Sequence, residues 1–146
     1  MFVGEYYNRI DEKGRLTVPV KFRFELGEEF VLTRGFDGCL TLYPQEPWDK
    51  FADKLLHLPT TNKEGRKLTR FFVAGASMCT LDKQGRILVP ENLRNSAGLT
   101  KDIVLAGALD HIEIWSKEKW DADNDFSDPG TLDEIAASLE SKDISL

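Results

Sequence analysis

Short apolar runs separated by turn residues give the same series of elements twice along the chain. Residues 2–10 are rich in aromatic and β-branched side chains and read as a strand. Asp11-Glu12-Lys13-Gly14 follows, with Asp at the first place and Gly at the fourth, as in a type I turn closed by a left-handed glycine bulge. Residues 15–18 are then the returning strand, Pro19 suits the first position of a helix, and Gly27 suits its stop. A second hairpin is expected from 30–33 and 39–43 around Gly35-Phe36-Asp37-Gly38. The series recurs as a strand over 77–81, a turn over 82–85, a strand over 86–89, a helix from Pro90 to near Gly98, and strands over 103–105 and 111–115.

The recurrence extends to individual residues. Asp11, Gly14, Arg15, Val18 and Pro19 have partners at Asp82, Gly85, Arg86, Val89 and Pro90, an offset of 82 − 11 = 71. Further on the offset becomes 72, so that Val31-Leu32 falls on Ile103-Val104, Gly35 on Gly107, Leu40-Thr41-Leu42-Tyr43 on Ile112-Glu113-Ile114-Trp115, and Trp48-Asp49 on Trp120-Asp121. A lone Asp-x-x-Gly-Arg is a common turn, but spacing kept from Asp11 to Asp49 marks an internal duplication.

Helical periods occupy the remainder. Trp48, Phe51, Ala52, Leu55 and Leu58 step by three and four residues and share one face. Residues 62–74 read as a connecting helix with Lys63, Arg66, Lys67 and Arg70 opposite Leu68, Phe71 and Phe72. Residues 121–130 read as a polar loop, and Thr131-Leu132-Asp133-Glu134 has the capping-box pattern for a short final helix through Leu139. Neither repeat has enough strand to bury two faces. The expected fold is therefore mainly β with α, of the α+β class: two tandem repeats forming one pseudo-two-fold β-barrel with peripheral helices.

Charge changes the picture through its distribution. The formal net charge is −6, yet from Lys117 onward nine acids face three lysines, so this end carries all of it and residues 1–116 balance at sixteen against sixteen. Between 63 and 94, Lys63, Arg66, Lys67, Arg70, Lys83, Arg86 and Arg94 outnumber Glu64, Asp82 and Glu91. An anionic partner is thus compatible with an acidic chain. No apolar run approaches the roughly 20 residues of a membrane span, and no signal-peptide profile opens the chain, so a cytoplasmic protein is expected. Cys39 and Cys79 do not match between the repeats, and with only His57 and His111 beside them they form neither a metal-ligand spacing nor a nucleophile–base pair. No cofactor and no enzymatic activity is expected.

The repeated phrase can do specific chemistry. A tight turn followed by Arg holds a long cation in place, and Asp11 or Asp82, four positions earlier, can brace the guanidinium of Arg15 or Arg86. A braced Arg is a rigid fork suited to phosphate, or to O6 and N7 of guanine in the major groove. Lys13, and Lys83 with Gln84, stand at the turn tips for further phosphate or base-edge contacts. A two-stranded β-ribbon is one of the few elements that enters that groove.

Four stretches, "MFVGEYYNRIDEKGRLTVPVKFR", "FVLTRGFDGCLTLYP", "TRFFVAGASMCTLDKQGRILVP" and "IEIWSKEKW", closely resemble the MraZ family of bacterial regulators, which stands with the AbrB/SpoVT and MazE group of swapped-hairpin DNA binders. The resemblance covers roughly residues 1–120 and keeps both Asp-x-x-x-Arg motifs. It implies SpoVT-AbrB-like repeats over 5–47 and 76–119, connecting helices over 48–75 and an acidic tail over 120–146. It also implies sequence-specific binding to short direct repeats in double-stranded DNA upstream of the protein's own operon, a division and cell-wall cluster, by a ring-shaped homo-oligomer of eight or twelve chains associated with the nucleoid. The implied DNA-binding residues are Asp11, Lys13, Gly14 and Arg15 with Asp82, Lys83, Gln84, Gly85 and Arg86. An antitoxin-type module of the same fold is the alternative, kept open by the acidic tail from Asp121 to Asp143, although a tail that wraps a toxin needs spaced apolar anchors and this one has few beyond Phe126, Leu132, Ile135 and Leu139.

Overall fold

A computed structural model describes residues 1–146. Its first strand, β1 (Glu5–Arg9), does not ladder with β2 (Arg15–Thr17), which follows it, and only an isolated bridge between Ile10 and Leu16 joins the two. The expected hairpin of 2–10 with 15–18 is thus replaced by an exchange. β1 pairs with β7 (Asp102–Gly107) of the second repeat, with Asn8 opposite Ile103, and β5 (Ser77–Cys79) pairs with β3 (Phe30–Arg34) of the first, with Cys79 opposite Phe30. β3 forms a hairpin with β4 (Leu40–Pro44), and β7 with β8 (Ile112–Ser116). The two hairpins join where β4 meets β8.

The resulting order, β1-β7-β8-β4-β3-β5, reads the same when the repeats are exchanged. Its pseudo-two-fold passes between Thr41 and Glu113, which face each other at the centre of the sheet. Strands β2 and β6 (Arg86–Leu88) form a ladder only with each other, in a second, two-stranded sheet. The expected barrel therefore does not close. The six-stranded sheet ends at β1 and β5, because β2 and β6 are three residues each and spend their hydrogen bonds on one another. The α+β class holds.

The core refines the alignment of the repeats. Phe30 and Leu32 of β3 and Ile103 and Leu105 of β7 all enter the main core, as do Leu40 and Leu42 of β4 with Ile112 and Ile114 of β8. The matching offset is then 103 − 30 = 73 for the first strand of each hairpin and 112 − 40 = 72 for the second. Val31-Leu32 thus corresponds to Val104-Leu105, not to Ile103-Val104. One residue of slip would have turned every inward side chain outward.

Short helices α1 (Val20–Leu26) and α4 (Glu91–Ala97) link the ribbon to the hairpins and bury Phe22 with Leu26 and Leu93 with Ala97. Pro19 and Pro90 sit just ahead of the first helical residue, at the cap, rather than inside the helix. Each hairpin is covered by a helix at equivalent places. α2 (Gln45–Leu56) sets Trp48 6.0 Å from Tyr43, and α5 (Lys117–Asp123) sets Trp120 5.5 Å from Trp115, ring to ring.

The connecting helix is broken. α3 (Lys63–Thr69) gives way to a π-helical turn at Arg70–Ala74, which buries Phe72 against Phe51 and Phe36 but leaves Leu68 40% exposed. Residues 121–130 are only partly loop, since α5 runs to Asp123 and α6 (Pro129–Glu140) starts at Pro129. Thr131 is not its cap. Asp128 is, accepting hydrogen bonds from the Gly130 N–H and the Thr131 hydroxyl. Every residue of α6 is exposed. Both cysteines are buried and free, and burial pushes the Cys39 thiol up to about 12. No helix is long and apolar enough to cross a membrane.

Candidate nucleic-acid interface

The two turns have the same construction. The Gly14 N–H donates to the Asp11 carbonyl at 3.0 Å and the Asp11 N–H to the Arg15 carbonyl at 3.1 Å; for Gly85, Asp82 and Arg86 the distances are 3.0 and 2.9 Å. Glycine is required at the fourth place because φ is +88° at Gly14 and +76° at Gly85, in the left-handed region.

Each Asp ties its Arg twice. Asp11 Oδ1 accepts the backbone N–H groups of Lys13 and Arg15 at 3.0 and 2.9 Å, while Oδ2 accepts Arg15 Nε at 2.6 Å. Asp82 Oδ1 accepts those of Gln84 and Arg86 at 2.9 Å each, and Oδ2 accepts Arg86 Nε at 2.8 Å. The backbone N–H of the following Arg, more than its charge, holds each carboxyl below its ordinary value. Because the brace takes Nε, the Nη edge of each guanidinium remains for a ligand. The arginines are half-buried, with side chains 39% and 28% exposed.

The ribbon brings both arginines onto one surface. Arg15 lies opposite Leu88, Leu16 opposite Ile87, and Thr17 opposite Arg86. Leu16 and Ile87 point into the core at 0% and 1% exposure, so Arg15, Thr17, Arg86 and Leu88 share the outer face by alternation. The arginines are diagonal neighbours, a relation that sets Cα atoms ~7–8 Å apart. Lys13, Lys83 and Gln84 are exposed at the turn tips, which project from the two ends of the ribbon, while Gly14 and Gly85 are buried beneath them.

Burial of those glycines comes from the opposite repeat. The Val18 N–H donates to the Gly85 carbonyl at 2.9 Å and the Val89 N–H to the Gly14 carbonyl at 2.8 Å, so the turns interlock. Arg23 of α1 donates Nε to Val18 O at 2.8 Å and lies over Gly85. Arg94 of α4 donates to Val89 O at 3.0 Å and to Glu12 O at 3.4 Å, beside Gly14. Sequence reasoning passed over this pair as turn supports, although 94 − 23 = 71 is the repeat offset. The other basic residues counted between 63 and 94 divide among elements, with Lys63, Arg66 and Lys67 on α3, and Arg70 on the π-helical turn.

Comparison with known proteins gives these features a lineage. The family model described as "MraZ protein, putative antitoxin-like" matches residues 1–71 and again 72–126. The chain belongs to the MraZ family. Among its MraZ relatives, each named "Transcriptional regulator MraZ", the protein of Lachnoclostridium phytofermentans is 57% identical over 136 residues, 93% of either chain. That of Alkaliphilus metalliredigens is 49% identical over 140 residues, covering 96% of this chain and 97% of the relative. That of Clostridium tetani is 52% identical over 125 residues, covering 86% and 88%.

Proposed function

We propose that the protein regulates transcription by binding double-stranded DNA with the outer face of the β2–β6 ribbon. The observation that carries this reading is the pair of Asp-braced arginines, Arg15 and Arg86, set diagonally on one exposed face of a two-stranded ribbon. Such a ribbon fits the major groove, and an Arg whose Nε is already held aims its Nη edge at guanine O6 and N7. The tips reach for the flanking phosphates with Lys13 and Lys83. Relatives named as transcriptional regulators support the biological role.

The finer reading is that the sites are short direct repeats upstream of the protein's own operon, engaged by several subunits of a ring-shaped homo-oligomer. Avidity then supplies the affinity that one acidic chain lacks. Footprinting upstream of the gene, with wild type and the Arg15→Ala and Arg86→Ala variants, tests it. Each substitution should weaken binding by about 1–3 kcal/mol while leaving the melting temperature near wild type. Wild-type affinity in both variants, or binding indifferent to salt between low and moderate concentrations, would remove the ribbon from the role.

A second reading, an antitoxin-like module, has one specific observation in its favour. Leu132, Ile135 and Leu139 lie at helical spacing on α6 and are 42%, 54% and 37% exposed. Deleting 124–146 should then abolish capture of a protein partner and spare DNA binding.

A further inference from the structure

The face that holds Arg15 and Arg86 has two more side chains, and they are unequal. Leu88 is directly opposite Arg15, and Thr17 is directly opposite Arg86. They occupy equivalent places in the two repeats, 88 − 17 = 71. Leu88 is 61% exposed and contributes nothing to the core, which the ribbon serves through Leu16 and Ile87. An isolated exposed Leu is ordinary on a protein surface. This one lies at the centre of the ribbon, with a guanidinium opposite it and another two residues away along its own strand.

We infer that Leu88, with Thr17 as its weaker counterpart, reads thymine methyl groups between the bases taken by Arg15 and Arg86, and that this inequality fixes the direction in which the ribbon enters its site. The inference rests on the DNA-binding reading above. The C5-methyl of thymine is the apolar group that a base pair shows in the major groove, and aliphatic side chains recognise it by contact. The two arginines are related by the pseudo-two-fold, so by themselves they would accept either orientation. The tips also differ, Glu12-Lys13 against Lys83-Gln84; where they touch phosphate they position the protein without reading sequence, and where Gln84 meets a base edge it does so at the end of the ribbon, outside the two arginines. The inner pair breaks the symmetry between the bases that the two arginines take.

The experiment starts from duplexes that the full-length chain selects from a random pool. Replacing each thymine in turn by deoxyuridine removes the methyl and leaves every hydrogen-bonding group. For wild type, one such replacement should weaken binding about four-fold, the effect of losing one buried methyl. Leu88→Ala should bind the unmodified duplex correspondingly less well and show no further loss on that replacement. Thr17→Leu, which makes the face symmetric, should bind a palindrome built from the Leu88 half-site about four-fold better than wild type does. The inference falls if no thymine replacement matters, if Leu88→Ala keeps the wild-type sensitivity, if Leu88→Ala changes the oligomeric mass in light scattering, or if Thr17→Leu gains nothing on the palindrome. In those cases binding that still depends on Arg15 and Arg86 leaves the DNA reading intact. A pool from which no duplex is retained overturns both.

Discussion

Arg23 lies over Gly85, and the helix of one repeat thereby supports the turn of the other. Arg94 does the same for Gly14. The two turns are thus held by one reciprocal set of contacts, and four predictions bear on that set and on the sheet beneath it.

Arg94→Ala leaves the Val89 carbonyl without its side-chain donor and uncovers Gly14. A loss of roughly 1.5–3 kcal/mol in stability is expected, the range of a hydrogen bond to a charged donor. DNA affinity should fall with it even though Asp11 and Arg15 are intact. Urea melts and binding titrations on the same preparation check both, and Arg94→Lys, which keeps charge without the planar fork, should not restore the turn.

Gly14→Ala forces a side chain into the left-handed region, at a cost of about 1–2 kcal/mol, and places its Cβ 2.5 Å from the Val89 carbonyl oxygen. That oxygen is backbone, one residue past the end of β6, in a residue whose own N–H is bonded to the Gly14 carbonyl, and has little room to yield. At Gly85 the obstruction is the Arg23 guanidinium, which can move. Gly14→Ala should therefore be the more destabilising of the two in thermal melts, and Gly85→Ala with Arg23→Ala should be milder than the sum of its single variants.

The carboxyls of Asp11 and Asp82 are held below their ordinary 3.8 by the N–H groups of Arg15 and Arg86 first and the guanidinium groups second. A lowered folded-state value contributes stability that is present above about 3.9 and lost as pH falls through the folded value. Between pH 5 and pH 2, wild type should lose stability more steeply than the Asp11→Asn, Asp82→Asn double variant. Parallel acid-titration curves would contradict the bracing seen here.

His111 gives the opposite slope. Burial lowers its pKa, but Glu113 and Asp110 beside it outweigh burial and raise it above 6.5. The charged ring, stacked 5.0 Å from Tyr43, contributes stability that is full below 6.5 and disappears as pH rises through the folded value. The advantage of wild type over His111→Gln should be larger at pH 6 than at pH 8.5. NMR titration of the imidazole would give the value directly, and a midpoint below 6.5 would contradict the arrangement.

Turn chemistry is local, and for that reason Asp11, Gly14 and Arg15 with their second-repeat copies are legible in the chain. The Trp48 stripe is legible because α2 is long enough to show its period. The strand exchange is not, since nothing near Glu5 points to Ala106. The register slip between β3 and β7 has a clear origin: Phe30 to Thr33 and Ile103 to Ala106 are buried on both faces, so these runs carry no apolar–polar alternation to fix the frame. At α6 two caps competed, and Asp128 with Pro129 after it prevailed over the Thr131 capping box. The support that Arg23 and Arg94 give the turns is not legible, because their partners are backbone carbonyls; only their spacing by the repeat offset marks them as a pair.

The exchanged strands also govern how the molecule can come into being. Pairing Glu5 with Ala106 closes a loop of 106 − 5 = 101 residues, so a chain emerging from the ribosome must hold β1 in waiting until most of the second repeat has been made. During that interval neither β1 nor β2 has the strand with which it ladders. A nascent first repeat that met another on a neighbouring ribosome would find in it the same edges that the second repeat later provides. Covalent linkage of the halves turns that bimolecular search into an internal one, and leaves two unlike sides on what would otherwise be a symmetric dimer.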